Sequence, residues 1–277
     1  MSRCWVDGIE IDAVMADDRG LNYADGAFET LRCAQGRIEC YTLHRDRLAK
    51  ALQVLRFEGA ASIAKQIFEA VRGHLAGVKH SGPARLTVTR GSGPRGYCPP
   101  SNSNPRYVLS TATAAEAPDE PVRCGVSTVF WAEQPQLAGL KLLARTEQVL
   151  AAHEAMEKGW DDAMMLDSNG LVISSSRGNV FALRGNEFVT PSLSRCGIAG
   201  TRRQLLMERV LPELGFGVSE RDISLQEMLS AEGIVISNAI RGIQPVLALN
   251  DRTYHLSALP IEAIKAALQE HVDACVD

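Results

Sequence analysis

The stretch "DDAMMLDSNGLVISSSRGNVFALRGNEFVT", residues 161–190, decides the fold class. It contains two hairpins in succession. In the first, "DDAMMLD" and "LVISS" flank Ser168-Asn169-Gly170; in the second, "NVFAL" and "EFVT" flank Gly185-Asn186. Glycine and asparagine tolerate the left-handed backbone that tight turns require. Four strands with no helix between them argue against a regular strand–helix alternation, and so against a doubly wound sheet.

The same signals recur outward from this stretch. "CWVDGIEI" turns at Asp7-Gly8 and "FETLRCAQGRIECY" at Gln35-Gly36. The period then becomes helical. In "LHRDRLAKALQVLRF", Leu43, Leu48, Leu52 and Leu55 share a face, and "ASIAKQIFEAVRGHLAG" is a second helix closed by Gly77. "ARLTVTR" and "RYVLSTAT" are strands on either side of the loop "GSGPRGYCPPSNSNP". "TATAAEAPDEP", residues 111–121, is small, acidic and proline-containing, as a linker is. Beyond it, "VRCGVSTVFWA" reads as a strand, residues 145–158 as a helix, and "GTRRQLLMERVLPEL" as an amphipathic helix. "EGIVISNAIRGIQPVLAL" supplies two more strands and "SALPIEAIKAALQEHV" a last helix. The whole predicts an α+β (mixed α/β) protein of two domains, residues 1–112 and 122–277, joined by a linker at 113–121.

Hydrophobic content of 45% and charged content of 22% belong to a globular chain with a sizeable core. A net charge of −4 argues against nucleic acid or an anionic membrane as partner. No apolar run approaches the roughly 20 residues that span a bilayer, and the N-terminus lacks a secretory core. Seven scattered cysteines without a CxxC pattern fit reduced thiols in a cytoplasm. The six histidines do not cluster, and nothing reads as a metal site. "GSGPRG" matches GxGxxG after a strand, but Pro99 and Pro100 follow where a dinucleotide site needs a helix to open. "HRD" at 44–46 lies inside a helical pattern and lacks the rest of a kinase signature.

Four places carry chemistry. Lys141, among leucines in "LAGLKLLARTEQVL" (137–150), is either an amine made nucleophilic by desolvation or a surface lysine whose stem lies along apolar neighbours. In "CGIAGTRRQLL" (196–206), Gly197 and Gly200 precede a helix whose first amides can take an anion, or they simply start a helix. "ISNAIRG" (236–242) ends an apolar strand with a polar Ser-Asn pair. Arg47 presents a guanidinium from a helix, to a phosphate or to solvent. An imine-forming lysine with a phosphate cradle suits pyridoxal phosphate, an aldehyde with a phosphate tail.

The stretches "DRGLNYADGAFETLR", "HRDRL", "RGSGPRGY", "LAGLKLLARTEQVLA", "SRGNVF", "CGIAGTRRQ" and "SNAIRGIQPV" occur in the order found in fold-type IV pyridoxal-phosphate enzymes. The chain resembles that group, which holds the branched-chain and D-amino-acid aminotransferases and aminodeoxychorismate lyase. "TRGSGPRGY" and the lysine stretch are more similar to the lyase. The resemblance implies a small N-terminal α/β domain and a larger C-terminal mixed-sheet pseudo-barrel domain carrying the lysine. It also implies pyridoxal 5'-phosphate between the domains, a small-molecule substrate and a homodimer. Lys141 matches the Schiff-base lysine and Arg47 the phosphate-holding arginine. Thr201 and Arg202 match the positions whose amides bind the phosphate, and Asn238 the polar residue completing the cradle. Gly91, Arg95 and Tyr97 lie in the loop that lines the substrate side.

Two departures stand out. Ser174 occupies the position, five before Asn179, where the group has a glutamate facing the cofactor's ring nitrogen. Leu142 and Ala144 stand where its lyases often have histidine and asparagine. A hydroxyl leaves the ring nitrogen neutral, which weakens transamination more than elimination; elsewhere among pyridoxal enzymes a hydroxyl there accompanies elimination. The implied activity is a carbon–oxygen lyase acting on 4-amino-4-deoxychorismate in folate synthesis. An aminotransferase, or a cofactor-binding protein without turnover, stays open as an alternative.

Overall fold

Asp7 and Gly8 have φ of 49° and 83°, and they fold β1 (Arg3–Val6) back onto β2 (Ile9–Glu10) with Val6 opposite Ile9. The computed structural model describes residues 3–11, 13–113 and 120–275. The chain forms two units.

In the first unit, β3 (Gly26–Ala34) turns at Gln35-Gly36 into β4 (Arg37–Ile38), again through two residues of positive φ. With β5 (Gly82–Thr89) and β6 (Arg106–Thr111) these strands make an antiparallel sheet of order β2-β1-β6-β5-β3-β4. A short α1 (Arg19–Tyr23) is capped by Asp18, which accepts from the amides of Gly20 and Leu21. Helices α2 (Tyr41–Val54) and α3 (Ala60–Gly77) cover one face of the sheet. Leu48, Leu52, Phe68, Val71 and Leu75 are buried with Leu31, Leu86 and Leu109. Leu48 and Leu52 are buried as the leucine spacing predicts, with Tyr41, His44 and Ala51; Leu55 is partly buried against the same core and Leu43 is half-buried.

The second unit holds a nine-stranded mixed sheet. Its strands are β7 (Val122–Val126), β8 (Asp162–Leu166), β9 (Val172–Ser175), β10 (Asn179–Arg184), β11 (Glu187–Pro191), β12 (Gly217–Arg221), β13 (Gly233–Asn238), β14 (Gly242–Leu249) and β15 (Arg252–Thr253). The order is β12-β11-β10-β13-β14-β7-β8-β9, with β15 on β14. Both expected hairpins form, as the antiparallel pairs β8–β9 and β10–β11. Helix α4 (Thr146–Lys158) follows the lysine stretch. The expected amphipathic helix near 200–214 is α5 (Thr201–Leu205), a π-helical segment Leu206–Val210 and α6 (Leu211–Glu213). Neither β12 nor α7 (Leu225–Leu229), which Ser224 and Glu227 cap reciprocally, was anticipated. The last helix is α8 (Ile261–Ala274). No helix among the described residues is long and apolar enough to cross a membrane.

Most of the expected linker, residues 114–119, lies outside the described residues. One assignment changes. Leu140–Ala144 group with the first unit, so Lys141 belongs there and not to the C-terminal domain. The reason is backbone pairing with β3.

Candidate functional site

The segment holding Lys141 is a strand in all but length. Phe28 N–H donates to Lys141 O at 3.0 Å, Leu143 N–H donates to Gly26 O at 3.2 Å, and Ala27 bridges Leu142. Side chains alternate across such a segment. Leu140 and Leu142 therefore enter the core of the first unit, while Lys141 lies on the other face, with Nζ 4.3 Å from the centroid of the buried Phe28 ring. Its apolar neighbour is thus an aromatic face and not the flanking leucines, and that face attracts a cation. The guanidinium of Arg85 lies 3.8 Å from the same centroid. Leu142 is a core residue and Ala144 is exposed.

Phe28 and Glu29 are consecutive on β3 and so face opposite ways. Glu29 is fully buried on the helix side. Arg47 Nε donates to Glu29 Oε1 at 2.8 Å and Arg47 Nη2 to Oε2, while His44 Nδ1 lies 2.6 Å from Oε2. Burial pushes the Glu29 carboxyl up. The Arg47 charge, its hydrogen bonds and His44 outweigh that and lower it to about 2. Arg47 is thereby fixed as a planar fork. Glu29 was not singled out in the sequence; its signal was an acidic residue at a core-facing strand position.

The glycine loop is held from outside itself. The buried Arg19 donates from Nε to Asp25 at 2.9 Å, from Nη1 to Gly96 O at 3.0 Å and from Nη2 to Tyr97 O at 2.9 Å. Gly96 N–H donates to Tyr23 Oη at 2.9 Å. Gly91 has φ +84° and is packed so closely that a Cβ would lie 2.2 Å from Asn104 O. Its place is explained by backbone packing, whereas Arg95 and Tyr97 are exposed on the loop.

In the second unit, Asn179 at the start of β10 organises the approach to α5. Gly200 N–H donates to Asn179 Oδ1 at 3.1 Å, and Asn179 Nδ2 donates to Ile198 O at 2.8 Å. A Cβ on Gly200 would lie 2.3 Å from that Oδ1. The other side of the loop is strapped to Gly139, which donates to Gly197 O at 3.0 Å and accepts from Ala199 N–H at 2.9 Å. Thr201 and Arg202 are buried in the first turn of α5, and Gly200 supplies no side-chain cap to their amides. Asn238 has its Oδ1 committed to the next turn, accepting from Ile240 N–H at 3.0 Å and Arg241 N–H at 2.8 Å. Its neighbour Ser237 pairs directly with Asn179, so their side chains share a face. Ser237 Oγ is buried and has no hydrogen-bond partner in the protein.

Ser174 on β9 is buried, and Trp131 Nε1–H donates to its Oγ at 3.0 Å. Of the residues expected to act, Thr201 and Arg202 follow the loop that Asn179 holds, Ser237 shares the Asn179 face, and Asn238, next along β13, caps the following turn. Ser174 stands with Trp131.

The profile of the amino-transferase class IV family matches residues 26–249. The chain belongs to this family. Members of the class IV family use pyridoxal phosphate, and their fold is the mixed α/β architecture with a curled mixed sheet found in this protein. The 4-amino-4-deoxychorismate lyase of Pseudomonas aeruginosa has a solved structure that is 33% identical, covers 98% of both chains and superposes with a TM-score of 0.86. The aminodeoxychorismate lyase of Vibrio harveyi is 29% identical over 253 residues, 89% of this chain and 91% of its own. The D-alanine aminotransferase of Bacillus licheniformis is 24% identical over 245 residues, 87% of this chain and 84% of its own.

The class IV cofactor fits the residues present. A buried hydroxyl with no partner is costly, at about 1–3 kcal/mol, unless something accepts its proton. Ser237 faces the side on which Asn179 holds the start of α5, whose amides have no side-chain cap. A phosphate oxygen is an acceptor that such a hydroxyl lacks and that amides at a helix start can bind.

Proposed function

We propose that the protein is a pyridoxal-phosphate-dependent lyase that converts 4-amino-4-deoxychorismate to p-aminobenzoate and pyruvate, in folate synthesis, and that it works as a homodimer. When bound, the cofactor supplies an aldehyde that takes a primary amine and a ring that withdraws electrons from the carbon bearing it. Lys141 holds it through Nζ. In the second unit the amides of Thr201 and Arg202, with Ser237 and Asn238, are assigned to its phosphate; in the first, the resemblance gives Arg47 a phosphate-holding role. Ser174 faces its ring nitrogen.

Released when the substrate's amine takes its place at the aldehyde, Lys141 Nζ would take the proton from the substrate carbon that bears the amine, as general base. The carbon–oxygen bond to the enolpyruvyl group breaks as that proton leaves. The ring becomes aromatic, and the departing enol picks up a proton as pyruvate. No water or oxidant is consumed. Arg95 on the glycine loop, with Gly91 and Tyr97, is assigned to the substrate's carboxylates.

The observation that carries this reading is Ser174, a neutral hydroxyl held by an indole, in place of a carboxylate. Amino-group transfer depends on a strongly electron-withdrawing ring, whereas elimination is helped by the leaving group itself. The likeness to two lyases across nearly the full chain agrees with it. The test is incubation with enzymatically made aminodeoxychorismate while following p-aminobenzoate fluorescence. Wild type gives product and Lys141→Ala almost none. Ser174→Glu raises transfer of an amino group to 2-oxoglutarate. Product from Lys141→Ala at the wild-type rate, or no product from wild type with cofactor bound, overturns the proposal.

A further inference from the structure

Trp131, Ser174 and Arg145 form a chain of contacts in the second unit. Trp131 is placed by its backbone, donating to Leu166 O at 2.9 Å and bridging Asp167 in parallel. Its Nε1–H donates to Ser174 Oγ at 3.0 Å. The guanidinium of Arg145, at the start of α4, lies 5.4 Å from the Trp131 ring centroid. Arg145 Nε and Nη1 are buried and have no hydrogen-bond partner among the described residues. Burial holds the Arg145 pKa below its ordinary value, with Glu147 opposing, yet a guanidinium stays charged at any working pH.

An indole N–H only donates, whereas a hydroxyl has one proton to give and two lone pairs to offer. With one lone pair taken by Trp131, Ser174 keeps its O–H, which an unprotonated ring nitrogen would accept, and one lone pair, which a protonated ring could use only by setting a second cation near Arg145. The carboxylates nearby each have a partner, and Glu147 offsets part of the Arg145 charge. Glu147 accepts from Ala132 N–H at 3.2 Å. Asp167, at the end of β8, is bound by Arg195 Nη2 at 3.0 Å and by the amides of Asn169 and Leu171. Asp162, at the start of β8, accepts from Ser176 Oγ at 2.5 Å and pairs with Arg177. A proton added beside Ser174 would therefore face a hydroxyl wanting an acceptor, backed by a buried cation.

We infer that Ser174 is set as a hydrogen-bond donor that selects the unprotonated form of the cofactor's ring nitrogen, and that Trp131 and Arg145 are the positioning residues that hold it so. This rests on the reading above that residue 174 faces that nitrogen. It makes the trio a determinant of reaction type, favouring elimination over amino-group transfer.

The test uses the full chain loaded with pyridoxal 5'-phosphate carrying nitrogen-15 in its ring. The ring-nitrogen signal is read by NMR, and borohydride reduction with peptide mapping on the same sample locates the label. Wild type is expected to give a free-pyridine signal and Ser174→Glu a pyridinium signal. Trp131→Phe keeps the ring and loses only the N–H, and it moves the wild-type signal in the same direction as Ser174→Ala. A pyridinium signal in wild type, with the label on Lys141, overturns this inference and leaves the proposed function standing. A Trp131→Phe signal unchanged from wild type, where Ser174→Ala does move it, overturns the role of Trp131. Absence of label on Lys141 overturns the proposed function and this inference with it.

Discussion

Arg47 donates to both carboxylate oxygens of Glu29, from Nε at 2.8 Å and from Nη2, across 18 positions of sequence. Breaking a buried pair by removing one partner typically costs about 3–5 kcal/mol. Glu29→Gln is therefore expected to destabilise the protein by that order at neutral pH. The Glu29 carboxyl is lowered from 4.5 to about 2 in the folded state, so its ionised form favours folding. That contribution is complete above the unfolded value and fades as pH falls through the folded one, a difference on the order of 3 kcal/mol. Urea unfolding between pH 7 and pH 2 checks it. The gap between wild type and Glu29→Gln should close toward the acid end, and a gap independent of pH would contradict the assignment.

Ser237→Ala should change stability in opposite directions with and without cofactor. Without cofactor the substitution removes a buried, unpartnered hydroxyl and stabilises by about 1 kcal/mol. With cofactor it removes a phosphate contact and lowers affinity several-fold. Melting curves at a series of pyridoxal-phosphate concentrations show both effects. A variant that matches wild type in cofactor affinity would remove Ser237 from the cradle.

Asn179→Ala deletes both side-chain bonds to residues 198 and 200, and the partly buried Gly200 N–H and Ile198 O lose their partner. A loss of about 1–3 kcal/mol is expected, with weaker cofactor binding. Asn179→Asp keeps the acceptor for Gly200 but turns an oxygen toward the Ile198 carbonyl, so it should not restore wild-type stability. Thermal melts of the three proteins decide this.

Gly26→Ala would place a methyl group 2.1 Å from Val88 O and 3.0 Å from Leu143 Cδ1. A backbone oxygen does not yield cheaply, and about 1–3 kcal/mol of destabilisation is expected. Gly77→Ala, in open space at the end of α3, is the control and should be neutral or slightly stabilising. Equal melting temperatures for the two variants would contradict the packing described.

The local rules were legible. Asp7-Gly8, Gln35-Gly36 and Gly185-Asn186 each turn a hairpin where the residue pair requires it, because a two-residue turn is decided by its own backbone preferences. What escaped depends on distant partners. The strand β12 is short and largely exposed, and it pairs in parallel with β11 only after an intervening helix, so it has no periodic signature. The π segment in the 201–213 helix leaves the apolar spacing nearly unchanged. At the site, Lys141, Arg47 and the segment carrying Thr201 were singled out from residue type and spacing and given roles by resemblance, Ser174 came by resemblance alone, and the groups that set their surroundings were not identified. Trp131 is 43 residues from Ser174 in sequence, and nothing local joins them. The leucines around Lys141 misled for a physical reason. Adjacent residues on an extended segment point apart, so closeness in sequence put Leu140 and Leu142 on the wrong side of the backbone.

The pairing of residues 26–28 with residues 141–143 also bears on biosynthesis. As the nascent chain leaves the ribosome, β3 can find β4 and β5 early, but its opening residues stay without their last neighbour until Leu143 has emerged. An open edge of this kind invites pairing with another chain. The amine at position 141 therefore reaches its place in the same event that seals this edge, and a truncated product ending before it would be both inert and prone to self-association.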